Sequence, residues 1–287
     1  MVKKVWIYWV LGLLVLAATI AVFTQSYTEE AVIKYFPLDE TTAFKSFGTS
    51  LEFSGQEDED EYEVVWEVSS ESEKPMYLRQ DVSLLYVNGR LKGVVSKWEE
   101  NASIIKKKTS IHGEDSQKYQ AVSFHHGELH LGEEAIRSIQ ATSGDELYVI
   151  DSPHTKRTSF TSPETPEEEE WKQRLDHTIN QQIRAQWDEL LAHFQVKESD
   201  YTAVPLTRLA DFEDKELPGV PKGQSERIKG QLWEGLYKNY ILGIHDTNSS
   251  HPIQSYIPLL LFDKKGKHVM VLYEDDTGKK HQLLQYY

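Results

Sequence analysis

Residues 84–95 read Leu84-Leu85-Tyr86-Val87-Asn88-Gly89-Arg90-Leu91-Lys92-Gly93-Val94-Val95. Two runs rich in branched and aromatic side chains flank Asn-Gly, a pair that accepts the positive φ angles of a type I′ turn. The stretch predicts a two-residue β-hairpin set in antiparallel surroundings.

Outward from the hairpin, residues 51–151 read as one β-rich region. Residues 63–68 (Glu-Val-Val-Trp-Glu-Val) form a strand bounded by the acidic run 57–61 and by residues 69–75. Further strands are expected at 103–111, 119–124, 129–131 and 147–150, with a helical turn within 133–139. Residues 152–165, rich in Pro, Ser and Thr, read as a linker or long loop. Then Thr165, Pro166 and Glu168 spell a helix N-terminus with a capping box. Trp171, Leu175, Ile179, Ile183, Trp187, Leu190, Leu191 and Phe194 recur every three or four residues, giving that helix one apolar stripe. A second amphipathic helix is expected from Ser225, with Ile228, Leu232 and Leu236 inside. Strands follow at 256–262, 268–273 and 281–287. Residues 166–287 thus read as an α+β region, and the chain as an α+β fold.

The N-terminus suggests a different environment. Residues 5–23 carry no charge, and Lys3 and Lys4 precede them. About 20 apolar residues suffice to cross a bilayer as a helix. The expectation is a cytoplasmic tail (1–4), a single transmembrane helix (5–23) lying in membrane lipid, and a juxtamembrane segment (24–50). The flanking lysines place the rest of the chain outside the cell membrane. A cleaved signal peptide ending near Thr19-Ile20-Ala21 is the competing reading.

The chain has 46 acidic against 31 basic side chains, a net charge of −15, and no cysteine. So acidic a body repels phosphate backbones, which argues against nucleic acid as a partner. Without cysteine there are no disulfides, thiolate metal sites or cysteine nucleophiles.

His125, His126 and His130, with Glu128, form the only constellation that reads as a candidate site. In a continuous strand His126, Glu128 and His130 share one face and could ligate a metal. Read as strand-turn-strand across His125-His126-Gly127, they scatter. The acidic run 57–61 lacks the spacing of a calcium loop. Asp275-Asp276-Thr277-Gly278 reads as a turn, and Ser103-Ile104-Ile105-Lys106 lacks the companion motifs of acyl-transfer enzymes. No residue is assigned to catalysis, and no cofactor is expected. The resulting expectation is a membrane-anchored extracytoplasmic interaction or regulatory protein, without catalytic activity, that meets a protein partner. The alternatives are a module binding a ligand, a cell-wall component or a cation, and an envelope hydrolase using a carboxylate pair.

Overall fold

Asn88 (φ 49°) and Gly89 (φ 80°) make the expected turn. It joins two far longer strands than the sequence suggests, β2 (Tyr62–Val87) and β3 (Arg90–Gly113). They stay paired from Val87↔Arg90 to Tyr62↔Gly113, with a register shift between Leu85 and Tyr86 and a longer break between Glu71 and Met76. There the hairpin bends. The computed structural model describes residues 33–56, 61–132, 135–152, 155–244 and 255–287, and Ile33–Tyr287 pack as one unit.

The bend divides the hairpin between two layers. The first half of β2 pairs with β1 (Phe44–Gln56), and its second half with β4 (Gln117–His130). β5 (Ile136–Ser152) and β6 (Thr155–Phe160) continue the sheet beyond β4. Alternation along β2 turns Tyr62, Val64 and Trp66 inward against Leu85, Tyr119, Ala121 and Val149 of the facing layer. Burying each such side chain stabilises the fold by roughly 1.5–3 kcal/mol. On one side β1 closes onto β5, where Thr49 Oγ1 lies 2.6 Å from Ser143 Oγ and the Leu51 amide donates to Asp145 Oδ2 at 2.7 Å. The result is a nearly closed barrel.

A second antiparallel sheet has the order β10 (Lys280–Tyr286), β9 (His268–Glu274), β8 (Leu259–Asp263), β7 (Tyr201–Pro205). Helix α1 (Pro166–His193) begins at the expected capping box: Thr165 Oγ1 accepts from the Glu168 amide, and Glu168 Oε2 from the Thr165 amide, both at 3.2 Å. Its apolar stripe covers both sheets. Trp171 and Leu175 pack on Tyr148, Ile150 and Phe160 of the barrel, and Leu190 and Leu191 on Leu259, Leu261 and Met270 of the second sheet. Helix α2 (Ser225–Leu236) runs on into a π-helical turn, Tyr237–Ile241. Trp233 stacks on Phe124 of β4, while Tyr273 of β9 donates to the Asn239 carbonyl at 2.8 Å.

Several expectations need correction. The fold is mostly antiparallel β, built on a near-barrel, rather than α+β. Residues 69–75 do not end a strand: β2 continues, because its serines find polar partners inside the barrel. The expected helical turn within 133–139 overlaps the start of β5, and part of the supposed linker is β6. Residues 44–50, read as juxtamembrane, belong to β1. The transmembrane segment 5–23 lies outside the described residues, and among those described no helix is long and apolar enough to cross a membrane. The single-pass anchor and the cell-membrane, extracytoplasmic address are therefore not supported.

Candidate functional site

The first candidate is a polar layer inside the barrel, between two apolar ones. Ser83, Asp81 and Arg79 point inward in succession from β2, and Ser123 and His125 from β4. All are enclosed, at 0% exposure. Trp66 Nε1 donates to Ser83 Oγ at 3.1 Å, and Ser123 Oγ to Ser83 Oγ at 2.6 Å. His125 Nε2 lies 2.8 Å from Ser143 Oγ, and its Nδ1 lies 3.0 Å from Asp81 Oδ2. The second contact lacks the alignment of a hydrogen bond. Ser70 Oγ donates to both Asp81 oxygens, at 2.9 and 2.7 Å.

Arg79 completes the layer. It donates to Ser70 Oγ, to Ser72 Oγ at 2.8 Å and to the Ser103 carbonyl at 2.9 Å, and its guanidinium lies over the Phe44 ring. Burial pushes its pKa down, and the neighbouring Asp81 opposes that shift. Carboxylate, imidazole and hydroxyl stand here in the order used by serine hydrolases. A substrate needs a route to the hydroxyl, whereas Phe44 and Phe47 pack against His125 and Ser143 Oγ also meets Thr49. The layer is a structural network.

The second candidate is the group anticipated as possible metal ligands. β4 is continuous through Gly127, so His126, Glu128 and His130 do share a face. Glu128 stands between the two rings, 3.6 Å from His126 Nε2 and 3.6 Å from His130 Nε2. His126 is buried with its Nε2 lacking a hydrogen bond among the described residues, and His130 stacks on Tyr77. His125 points to the opposite face. Among the described residues no group of three or more His, Asp or Glu is arranged to hold a metal. Of the other motifs, Ser103–Lys106 lies within β3, Glu57 to Asp60 fall outside the described residues, and Asp275 accepts from the Thr277 and Lys279 amides as a turn.

A smaller cleft of about 250 Å³ gathers Glu213, Asp214, Glu216 and Glu226 beside buried Lys229. Burial raises the Glu213 pKa, whereas hydrogen bonds from Ser225 and the Gly223 amide lower that of Glu216. Lys229 donates to the Phe212 and Glu213 carbonyls, at 3.1 and 3.0 Å, and pairs with Glu226. These bonds tie α2 to the turn before it.

The third candidate was not anticipated. Opposite the β1–β5 closure, the two halves of β3 stay apart and line a groove of about 1040 Å³. Its lining includes Trp66, Val87, Val95 and Ile111, all packed on or within the barrel core. Arg90, Lys92 and Lys107 line it as well, while Glu61, Glu114 and Asp115 lie just beyond the paired ends of the hairpin, Tyr62 and Gly113. Gly93 keeps it open: a Cβ there would lie 3.7 Å from Cζ3 of Trp66, so any larger side chain would project over the indole. Sequence reasoning missed the groove because it depends on the bend, which no local pattern encodes. The basic spacing of β3 was the one available signal.

No family model matches the chain, and no curated protein matches it. Among solved structures, a glycosyl hydrolase family 2 member from Bacteroides cellulosilyticus aligns at 12% identity and a TM-score of 0.25. The alignment covers 41% of this chain and 17% of that one. A second structure of a family 2 member from the same organism aligns at 11% identity and a TM-score of 0.26, covering 41% and 16%. A protein from Archaeoglobus fulgidus aligns at 10% identity and a TM-score of 0.20, covering 42% and 99%. The chain thus spans under a fifth of the length of the two hydrolases. Likenesses this slight indicate neither a shared fold nor a shared activity.

Proposed function

We propose that this chain is a non-catalytic binding protein that receives an extended ligand in the groove between the two halves of β3. The carrying observation is the groove itself, with Val95 and Ile111 in its floor, polar and charged walls, and a glycine, Gly93, where a larger side chain would fill it. Ligand sites commonly combine a largely apolar lining with a few placed polar groups, in volumes of roughly 300–1,000 Å³. The hydrolase-like trio is walled in by aromatic rings, which favours binding over group transfer at that place.

The test is thermal. A ligand that binds only the folded state raises the melting temperature. A panel of short peptides and soluble polysaccharides should contain members that do so, and Gly93→Phe should abolish the shift. If no member shifts the melting temperature, or if the shifts survive Gly93→Phe, the proposal fails.

A further inference from the structure

We infer that the ligand is an extended, acidic polypeptide segment that adds to the free edges of β3; this rests on the groove being the binding site. Three observations carry it. β3 pairs with β2 over most of its length; the Lys106 carbonyl accepts from Lys97 Nζ at 3.3 Å, and among the described residues the backbone of another segment meets the other edge only at the strand's start. There Arg90 bridges to Tyr256 and the Leu91 amide donates to the Ser255 carbonyl. Beyond that point the strand offers a row of backbone donors and acceptors, which is what strand addition requires. Because the strand bends, the unpaired edges of its two halves border one groove, so a segment lying there can be met from two sides. The free stretch from Lys92 to Ser96 accommodates about five extended residues at roughly 3.3 Å each.

Charge selects the occupant. In a chain of net −15, β3 carries Arg90, Lys92, Lys97, Lys106, Lys107 and Lys108 against Glu99 and Glu100. Lys97 and Lys106 are paired with Glu99 and Glu67, whereas Lys92 and Lys107, in the groove, make no ion pair among the described residues. A second copy of this chain would set basic strand against basic strand, a destabilising arrangement. An acidic polysaccharide would satisfy the lysines but offers no regular row of amides to the strand edges. An acidic segment with alternate apolar residues meets the edges, the lysines and the half-buried Val95 and Ile111 together.

The experiment is fluorescence anisotropy on the full chain with a labelled ten-residue alternating Glu-Val peptide. Its counterpart N-methylated at each valine, an alternating Lys-Val peptide and polygalacturonate serve as comparisons. The Glu-Val peptide should bind. N-methylation should weaken binding at least tenfold, as should Lys92→Glu with Lys107→Glu, and the Lys-Val peptide should not compete. Equal binding of the N-methylated peptide, or indifference to the lysine reversals, overturns the inference. Gly93→Phe separates the two levels, with Thr109→Trp replacing it if that variant misfolds by circular dichroism. If polygalacturonate binds and is lost on blocking while the Glu-Val peptide does not bind, the groove stands and the polypeptide falls. If no probe responds to blocking, both fall.

Discussion

Asp81 Oδ2 lies 3.0 Å from Nδ1 of His125, and both side chains are wholly enclosed by the barrel. The same carboxylate accepts from Ser70, which in turn accepts from Arg79, so Asp81 is the counter-charge that lets a guanidinium sit at 0% exposure. Asp81→Leu should therefore cost about 3–5 kcal/mol, because it strands a buried cation. Arg79→Met added to it should recover much of that loss. Urea denaturation of the two single variants and the double variant measures the coupling. Strictly additive losses would show that the two charges are independent.

Gly113 supports the same barrel from its other end. A Cβ there would lie 2.4 Å from the Tyr119 hydroxyl and 2.5 Å from Cζ of Tyr62. Tyr119 donates to Tyr62 at 3.0 Å, and Tyr62 to the Asp115 carbonyl at 2.6 Å, so neither ring can yield without breaking a bond. Gly113→Ala should cost about 1–3 kcal/mol through overpacking. An unchanged denaturation midpoint would mean that the rings move freely.

Much of this was readable from local signals. Asn88-Gly89 and Thr165-Pro166-Glu168 specify their turn and cap through their own backbone chemistry, and both appear as expected. What failed were residues whose role is set by distant strands. Ser70 and Ser72 resemble the end of a strand, yet they sit mid-strand because Asp81 and Arg79 supply their partners. Gly127 resembles a turn, but a Cβ there would meet Met76 Sδ at 2.3 Å; its glycine serves close packing. Strand periodicity offers the face shared by His126, Glu128 and His130 only if the strand is continuous, and the turn reading that scatters them is overturned by β4. The groove was not legible in this way, since it is made by a bend in a hairpin that reads as straight.

Asp176 supplies a pH dependence. Burial pushes its pKa up, but hydrogen bonds from Lys118 (2.8 Å), Lys172 and Tyr148 (2.9 Å) hold it below the usual carboxylate range. A depressed folded-state pKa contributes stability that is present above the unfolded value of about 3.9 and lost as pH falls through the folded value. Asp176→Asn should thus be destabilised at pH 7, and the gap to the parent chain should shrink below about pH 4. Urea midpoints between pH 3 and 7 test this; a gap that widens on acidification would refute it.

Gly93→Ala is the converse case. Its Cβ would sit in ordinary contact with Trp66 at negative φ, and glycine within a strand costs about 0.5–1 kcal/mol relative to alanine. The variant should melt at the same temperature as the parent or slightly above it. A loss of more than about 1 kcal/mol would show that the site cannot accept even a methyl group, at odds with an open groove.

Helix α1 touches three stations along one 28-residue rod: the barrel wall at Trp171 and Leu175, the hairpin tip at Gly89 through Ile179 and Ile183, and the second sheet at Leu190 and Leu191. A rod pinned at three places cannot flex between them without breaking its own backbone bonds. One helix thus ties the C-terminal strands to Gly89, where the two long strands join. A sheet at one end of the rod and the turn from which β3 starts are thereby held by the same element.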